Sequence, residues 1–135
     1  MALRVAVDTS FLIDLERERS RGETGPARVW LEQNADADLV LSVVAFGEFA
    51  EGFEGADSPH LELVRNTHEL EPIDAAVALE YAKQARRLRR AGRLIGSNDL
   101  WIASTALRHQ IPVVTRNQAG FRRVEGLTVL TYRSD

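Results

Sequence analysis

The chain has 135 residues, no cysteine and a formal net charge of −3. That length suits one domain, taken here as residues 1–135, and the missing cysteines exclude disulfides and thiolate metal sites while fitting a reducing, cytoplasmic setting. A slight acidic excess gives no global reason for a nucleic-acid partner, no apolar stretch approaches the roughly 20 residues that span a bilayer, and Asp8 and Asp14 interrupt the N-terminal apolar run, so a signal peptide is not expected.

Residues 3–7, "LRVAV", are short, apolar and β-branched, and predict a buried strand. "SFLIDLERER" predicts a brief helix capped by Ser10, followed by the loop "SRGETG". Pro26 opens a second helix from its first position, through "ARVWLEQ". Residues 38–43, "DLVLSV", predict a second buried strand, which runs into the helix "VAFGEFAEGFE", weakened by Gly47 and Gly52. Ser58 and Pro59 start the helix "HLELVRN", and "HELEPID" reads as a short strand ending at Pro72. Asp74 caps the longest predicted helix, residues 75–93, where Val77, Tyr81, Ala85 and Leu88 form an apolar stripe. "GSND" breaks the chain and caps "LWIASTALRHQ". Residues 111–115 and 127–132 predict two more strands, the last alternating enough to be an edge. Strands that alternate with helices imply a parallel sheet inside a three-layer α/β/α sandwich.

In such folds chemistry gathers at the carboxyl ends of the strands. Asp8 ends the first strand, Glu48 lies near the start of the helix leaving the second, and Asp99 opens the helix before "IPVVT". Asn117 follows that strand by two residues, so three acids and an amide share one rim. Each has a plain alternative: Asp8 as a helix cap, Glu48 as a solvated helix residue, Asp99 as a capping acid favoured by the helix dipole. Against those, Asp99 lies on the face of Ile102, Ala103 and Ala106, and Glu48 sits among Phe46, Phe49 and Phe53. Carboxylates on apolar faces cost several kcal/mol unless paired, and no cationic residue flanks these closely in sequence. A hard divalent cation relieves the repulsion, and an all-oxygen set suits Mg²⁺ or Mn²⁺.

The stretches "VDTSFLI", "SVVAFGEFAEG", "SNDLWIASTA" and "VVTRNQAGFRRVEGLTVL", in this order over nearly the whole chain, resemble the PIN-domain ribonucleases, in particular the VapC toxins of bacterial toxin–antitoxin pairs. The resemblance implies a PIN-like parallel sheet of about five strands and a metal-dependent endoribonuclease that hydrolyses RNA phosphodiester bonds. It implies Asp8, Glu48 and Asp99 as metal-binding acids, Ser10 as the hydroxyl beside the first of them, and Thr115 and Asn117 as the residues of the post-strand motif. It also implies a VapB-type antitoxin and a homodimer, for which the short apolar helices after the first two strands are candidates. One departure stands out: where the family often has a further acid, this chain has Gly120. That departure keeps a rival open, a weak or degenerate PIN-like module that binds RNA or protein without cutting.

Arg116, Arg122 and Arg123 follow the same strand and are candidates for phosphate contacts. The run Lys83, Arg86, Arg87, Arg89, Arg90 and Arg93 is denser, and reads equally as a solvated helix face or as a surface for RNA or a partner. Trp30 and Trp101 read as core or interface residues, and His60, His68 and His109 have no ligand spacing. Dehalogenase-like phosphatases need an acid where Ser10 stands, and receiver-type phosphoacceptors need paired acids and a late lysine that are missing here.

Overall fold

The structure is a computed structural model and describes residues 3–133. Five short strands, β1 (Arg4–Val7), β2 (Asp38–Ser42), β3 (Glu69–Glu71), β4 (Val113–Thr115) and β5 (Val129–Thr131), form one sheet in the order β3-β2-β1-β4-β5. Every pairing is parallel. Among the described residues seven helices flank it: α1 (Thr9–Ser20), α2 (Pro26–Gln33), α3 (Val43–Ala50), α4 (Pro59–Thr67), α5 (Ala75–Arg90), α6 (Ser97–Arg108) and α7 (Gln118–Phe121). Among the described residues no helix is long and apolar enough to cross a membrane.

The three central strands are apolar on both faces because helices cover both. Val5, Val7, Val40, Leu41, Val113 and Val114 are fully buried, the pattern of a parallel sheet covered on both faces. The outer strands β3 and β5 are only partly covered, as the alternating "LTVLTY" predicts for an edge. Phe11 of α1 packs edge-on against Trp30 of α2 and Tyr132 after β5, with centroids at 5.6 and 5.0 Å. Trp101 stacks on Tyr81 at 3.8 Å and so joins α6 to α5. Both tryptophans therefore serve packing.

Helix starts differ from expectation in ways that matter to function. Asp8, not Ser10, is the N-cap of α1, and Ser10 lies inside the helix. Ser42 caps α3 through the Val44 amide, so β2 ends one residue earlier than expected and α3 begins at the strand's carboxyl edge. Helix α3 stops at Ala50 rather than running on to Glu54, and the turns that follow include Gly55 at φ +82°. Helix α6 begins at Ser97, three residues before expectation, with Gly96 at its N-cap and no side-chain cap bond. Asp99 therefore sits in the first turn and is not a cap. Asp74 and Ser58 cap α5 and α4 as expected. The short helix α7, anchored by fully buried Phe121, is not foreseen from sequence.

Candidate active site

The chain runs β1, β2, β3 towards one side of the sheet and then returns to place β4 on the other side of β1. The boundary between β1 and β4 is thus the topological switch point, where the carboxyl ends open a crevice. Asp8 follows β1 and Thr115 closes β4, and the two meet across that boundary.

Asp8 is 3% exposed and serves two purposes. Its Oδ1 accepts from the Phe11 amide at 3.0 Å, which caps α1, and from Ser10 Oγ at 2.7 Å. Its Oδ2 accepts from Thr115 Oγ1 at 2.5 Å. A carboxylate offers about two acceptor positions per oxygen, so Oδ1 is filled and Oδ2 keeps one. Burial pushes the Asp8 carboxyl above the usual range; the bonds from Thr115, Ser10 and Phe11 oppose this, and the Asp99 charge adds to it. Cap and candidate ligand are therefore the same side chain.

Glu48, half-buried on α3, accepts from Thr9 Oγ1 at 2.6 Å and from Asn98 Nδ2 at 3.1 Å. Asp99, half-buried on α6, accepts from Asn117 Nδ2 at 3.2 Å. Its carboxyl is raised first by burial and then by the charge of Glu48, with the Asn117 bond opposing. Asp99 feels Glu48 and Asp8 feels Asp99, so the three acids form one electrostatic group. Among the described residues no lysine or arginine pairs with any of them; the donors are hydroxyls and amides. The group is loose: among the described residues no three acidic or histidine side chains stand in a ready metal-binding arrangement. Each acid is tied to its own neutral donors. The donor set, carboxylate oxygens short of positive charge with an acceptor position left on Asp8, fits a hard divalent cation.

The three candidate arginines separate. Arg116 donates from Nη1 to both oxygens of Asp14, at 2.9 and 3.1 Å. Arg123 donates to the Leu94 carbonyl at 3.2 Å, and its own carbonyl accepts from Arg87 at 2.6 Å. Two of the three thus have intramolecular tasks, and Arg122 is exposed. In the basic run, Arg87 is tied to Gln84, Arg123 and Glu125, whereas Lys83, Arg86, Arg89, Arg90 and Arg93 face solvent. His60 meets Glu16 and His109 meets Glu71, while His68 bonds locally to Val64 and Thr67; none contacts the rim acids.

Sequence reasoning missed Thr9 and Asn98, the partners of Glu48, and the buried Asp14, which also accepts from Tyr132 Oη at 2.6 Å. Burial and the adjacent carboxylate push the Tyr132 phenol far above its usual range, so it stays a donor. One signal was available: Phe11, Asp14 and Glu18 recur at helical spacing, which puts two acids on the buried face of α1.

The model of the PIN domain matches residues 5–127. Ribonuclease VapC4 of Mycobacterium tuberculosis is 32% identical over 135 residues, covering 93% of this chain and 97% of that protein. Among solved structures, VapBC-1 from nontypeable Haemophilus influenzae superposes with a TM-score of 0.79 at 26% identity, over 96% of this chain and 98% of that one. VapBC-5 from Mycobacterium tuberculosis, a member of the VapBC family of toxin-antitoxin systems, gives 0.68 at 26% identity, over 97% and 98%. The chain belongs to the PIN-domain family and, within it, to the VapC ribonucleases of toxin–antitoxin systems.

Proposed function

We propose that the protein is an Mg²⁺- or Mn²⁺-dependent endoribonuclease whose Asp8, Glu48 and Asp99 hold the cation, with Asn117 at the same centre. The observation that carries this reading is the set of donors: three electrostatically linked acids, at the switch point, satisfied among the described residues by neutral groups. Bound there, a divalent ion supplies water activation and stabilisation of phosphate charge.

The chain's own residues prepare the site. Thr115 and Ser10 keep the buried Asp8 an acceptor despite its desolvation. Thr9 and Asn98 hold the two oxygens of Glu48 from β1's exit and from α6. Asn117 aims Asp99 from the end of β4. Three separate chain segments therefore fix three carboxylates, and the RNA phosphate enters from the solvent side of the rim. Arg122, exposed beside α7, is the candidate for backbone contact.

Two partners belong to this reading. A VapB-type antitoxin restrains the nuclease, a reading supported by relatives that carry the VapBC name. A second copy forms a homodimer, to be tested by light scattering; among the described residues the most exposed large apolar one is Leu79 on α5, at 72%, rather than one on the early helices. A weaker, binding-only module is favoured by one feature alone, Gly120 in place of an acid. Cleavage of RNA by the purified chain with Mn²⁺, abolished by EDTA and lost in Asp99→Asn, separates the readings. Binding without cleavage at any metal concentration overturns the nuclease.

A further inference from the structure

The segment Thr115, Arg116, Asn117 serves two carboxylates at once. Thr115 donates to Asp8 at 2.5 Å and Asn117 donates to Asp99 at 3.2 Å. Its inner hold is modest: the Arg116 amide reaches Ser10 Oγ at 3.3 Å and the Asn117 amide reaches Thr115 Oγ1 at 2.8 Å. Its outer hold is the Arg116 guanidinium on both oxygens of Asp14. Asp14 is itself buried, 8% exposed, and fixed by Tyr132 Oη at 2.6 Å, with Arg133 at 3.6 Å.

We propose that Asp14, through Arg116, is a positioning residue for the rim: it sets where Thr115 and Asn117 meet Asp8 and Asp99. The inference rests on the metal-site reading above. Helix α1 then carries both ends of the device, since Asp8 caps it and Asp14 lies less than two turns on. The neighbouring Glu18 shows that an acid on this face can be satisfied by backbone amides alone. Asp14 instead reaches the one residue that stands between the two site donors. This gives Arg116 an internal task in place of the RNA contact that sequence suggested.

The test uses the full chain with Asp14→Asn, Arg116→Gln and the double variant. In metal-free protein, hydrogen exchange at the Arg116 and Asn117 amides is expected to accelerate at least about 10-fold, while the Ala27 and Arg28 amides, held by Glu18, stay protected. Mg²⁺ affinity by calorimetry should fall about 10- to 100-fold, as for other outer partners of metal ligands. The kcat on RNA should drop with KM nearly constant, and the double variant should be no worse than either single one. A rise in KM with kcat and Mg²⁺ affinity unchanged makes Arg116 an RNA contact and overturns the proposal. Unchanged exchange in both single variants overturns it as well. If the parent neither binds Mg²⁺ nor cuts RNA, the metal-site reading fails, and exchange still decides whether Asp14 orders the segment. Should Asp14→Asn not fold, Arg116→Gln, at the half-exposed end of the same contact, decides alone.

Discussion

Helix α1 buries acids at both ends, and the two ends solve the problem in opposite ways. At its C-terminal end, Glu18 takes the amides of Gly25, Ala27 and Arg28 at 2.9–3.0 Å, capping α2 from a neighbouring helix. Its charge sits on the positive end of α2, where the dipole favours it. At the N-terminal end, Asp8 has hydroxyls and one amide, and the charge of Asp99 works against it. Asp8 and Asp99 also lie at helix starts, on α1 and α6, but Glu18 stands against three amides whereas the rim gathers acids that raise one another, and that excess of negative charge is what a divalent cation corrects.

The largest effect should come from deleting charge at the rim. Asp99→Asn keeps the shape and lets the amide still meet Asn117, yet removes a hard-metal ligand. Cleavage should fall at least about 100-fold, the scale of losing one group that stabilises transition-state charge. Circular dichroism should show an intact fold, and a variant that cuts at the parent rate would falsify the site.

The structural end should respond in the opposite sense. Glu18→Ala strands three amides at the start of α2. Stability should fall by about 2–3 kcal/mol, a melting shift on the order of 5–10 °C for a chain of this size. Cleavage per folded molecule should hold within about 2-fold, since no catalytic group is touched. Gly25→Ala sharpens the point: its φ of −96° suits any residue, but the added Cβ would lie 2.6 Å from the Glu18 carboxylate. Destabilisation there, without loss of chemistry, traces to that carboxylate alone.

A smaller effect concerns pH. Burial holds the Asp8 and Asp99 carboxyls above the ordinary value of 3.8, so the folded chain binds protons more readily than the unfolded one. Stability from these groups is greatest below the ordinary value and declines as pH rises through the folded values. In EDTA, Asp99→Asn should therefore melt higher than the parent near neutrality, and the gap should narrow on acidification. Mg²⁺ should raise the parent's melting temperature and close the gap from the other side. A gap that widens towards acid would contradict the direction of the shift. The rim thus gives up stability in the metal-free protein.

The same contrast explains what could be read from sequence. The central strands were legible because β-branched apolar runs buried on both faces admit few alternatives. The rim acids were legible because chain order and a parallel topology bring strand ends together without any side-chain detail. Helix starts were not: Asp8 and Ser10 both can cap, and the bond from Thr115, 107 residues away, favours the register with Asp8 outside the helix. Gly96 carries no capping side chain, so the earlier start of α6 left no mark. Arg116 was assigned to RNA because its partner Asp14 lies 102 residues away. Thr9 and Asn98 are ordinary polar residues until Glu48 is placed beside them.

The finest test of the rim's excess negative charge is Gly120→Asp. A Cβ at Gly120 would lie 3.3 Å from Nδ2 of Asn117, the atom that now holds Asp99. The new carboxylate therefore arrives beside the same amide and competes with Asp99 for it. Two consequences oppose each other. Added negative charge enlarges the excess and should lower the metal-free melting temperature by about 1–3 °C, the scale of a modest unpaired repulsion. The same charge gives a cation another oxygen and should tighten Mg²⁺ or Mn²⁺ binding by about 3-fold, with a similar gain in cleavage. Calorimetry and melting with and without metal separate the two. Stabilisation seen only with metal makes position 120 a usable ligand place. Weaker binding with slower cleavage means that drawing Asn117 away from Asp99 costs more than the extra oxygen contributes, and that this chain relies on the amide where relatives of its resemblance use an acid.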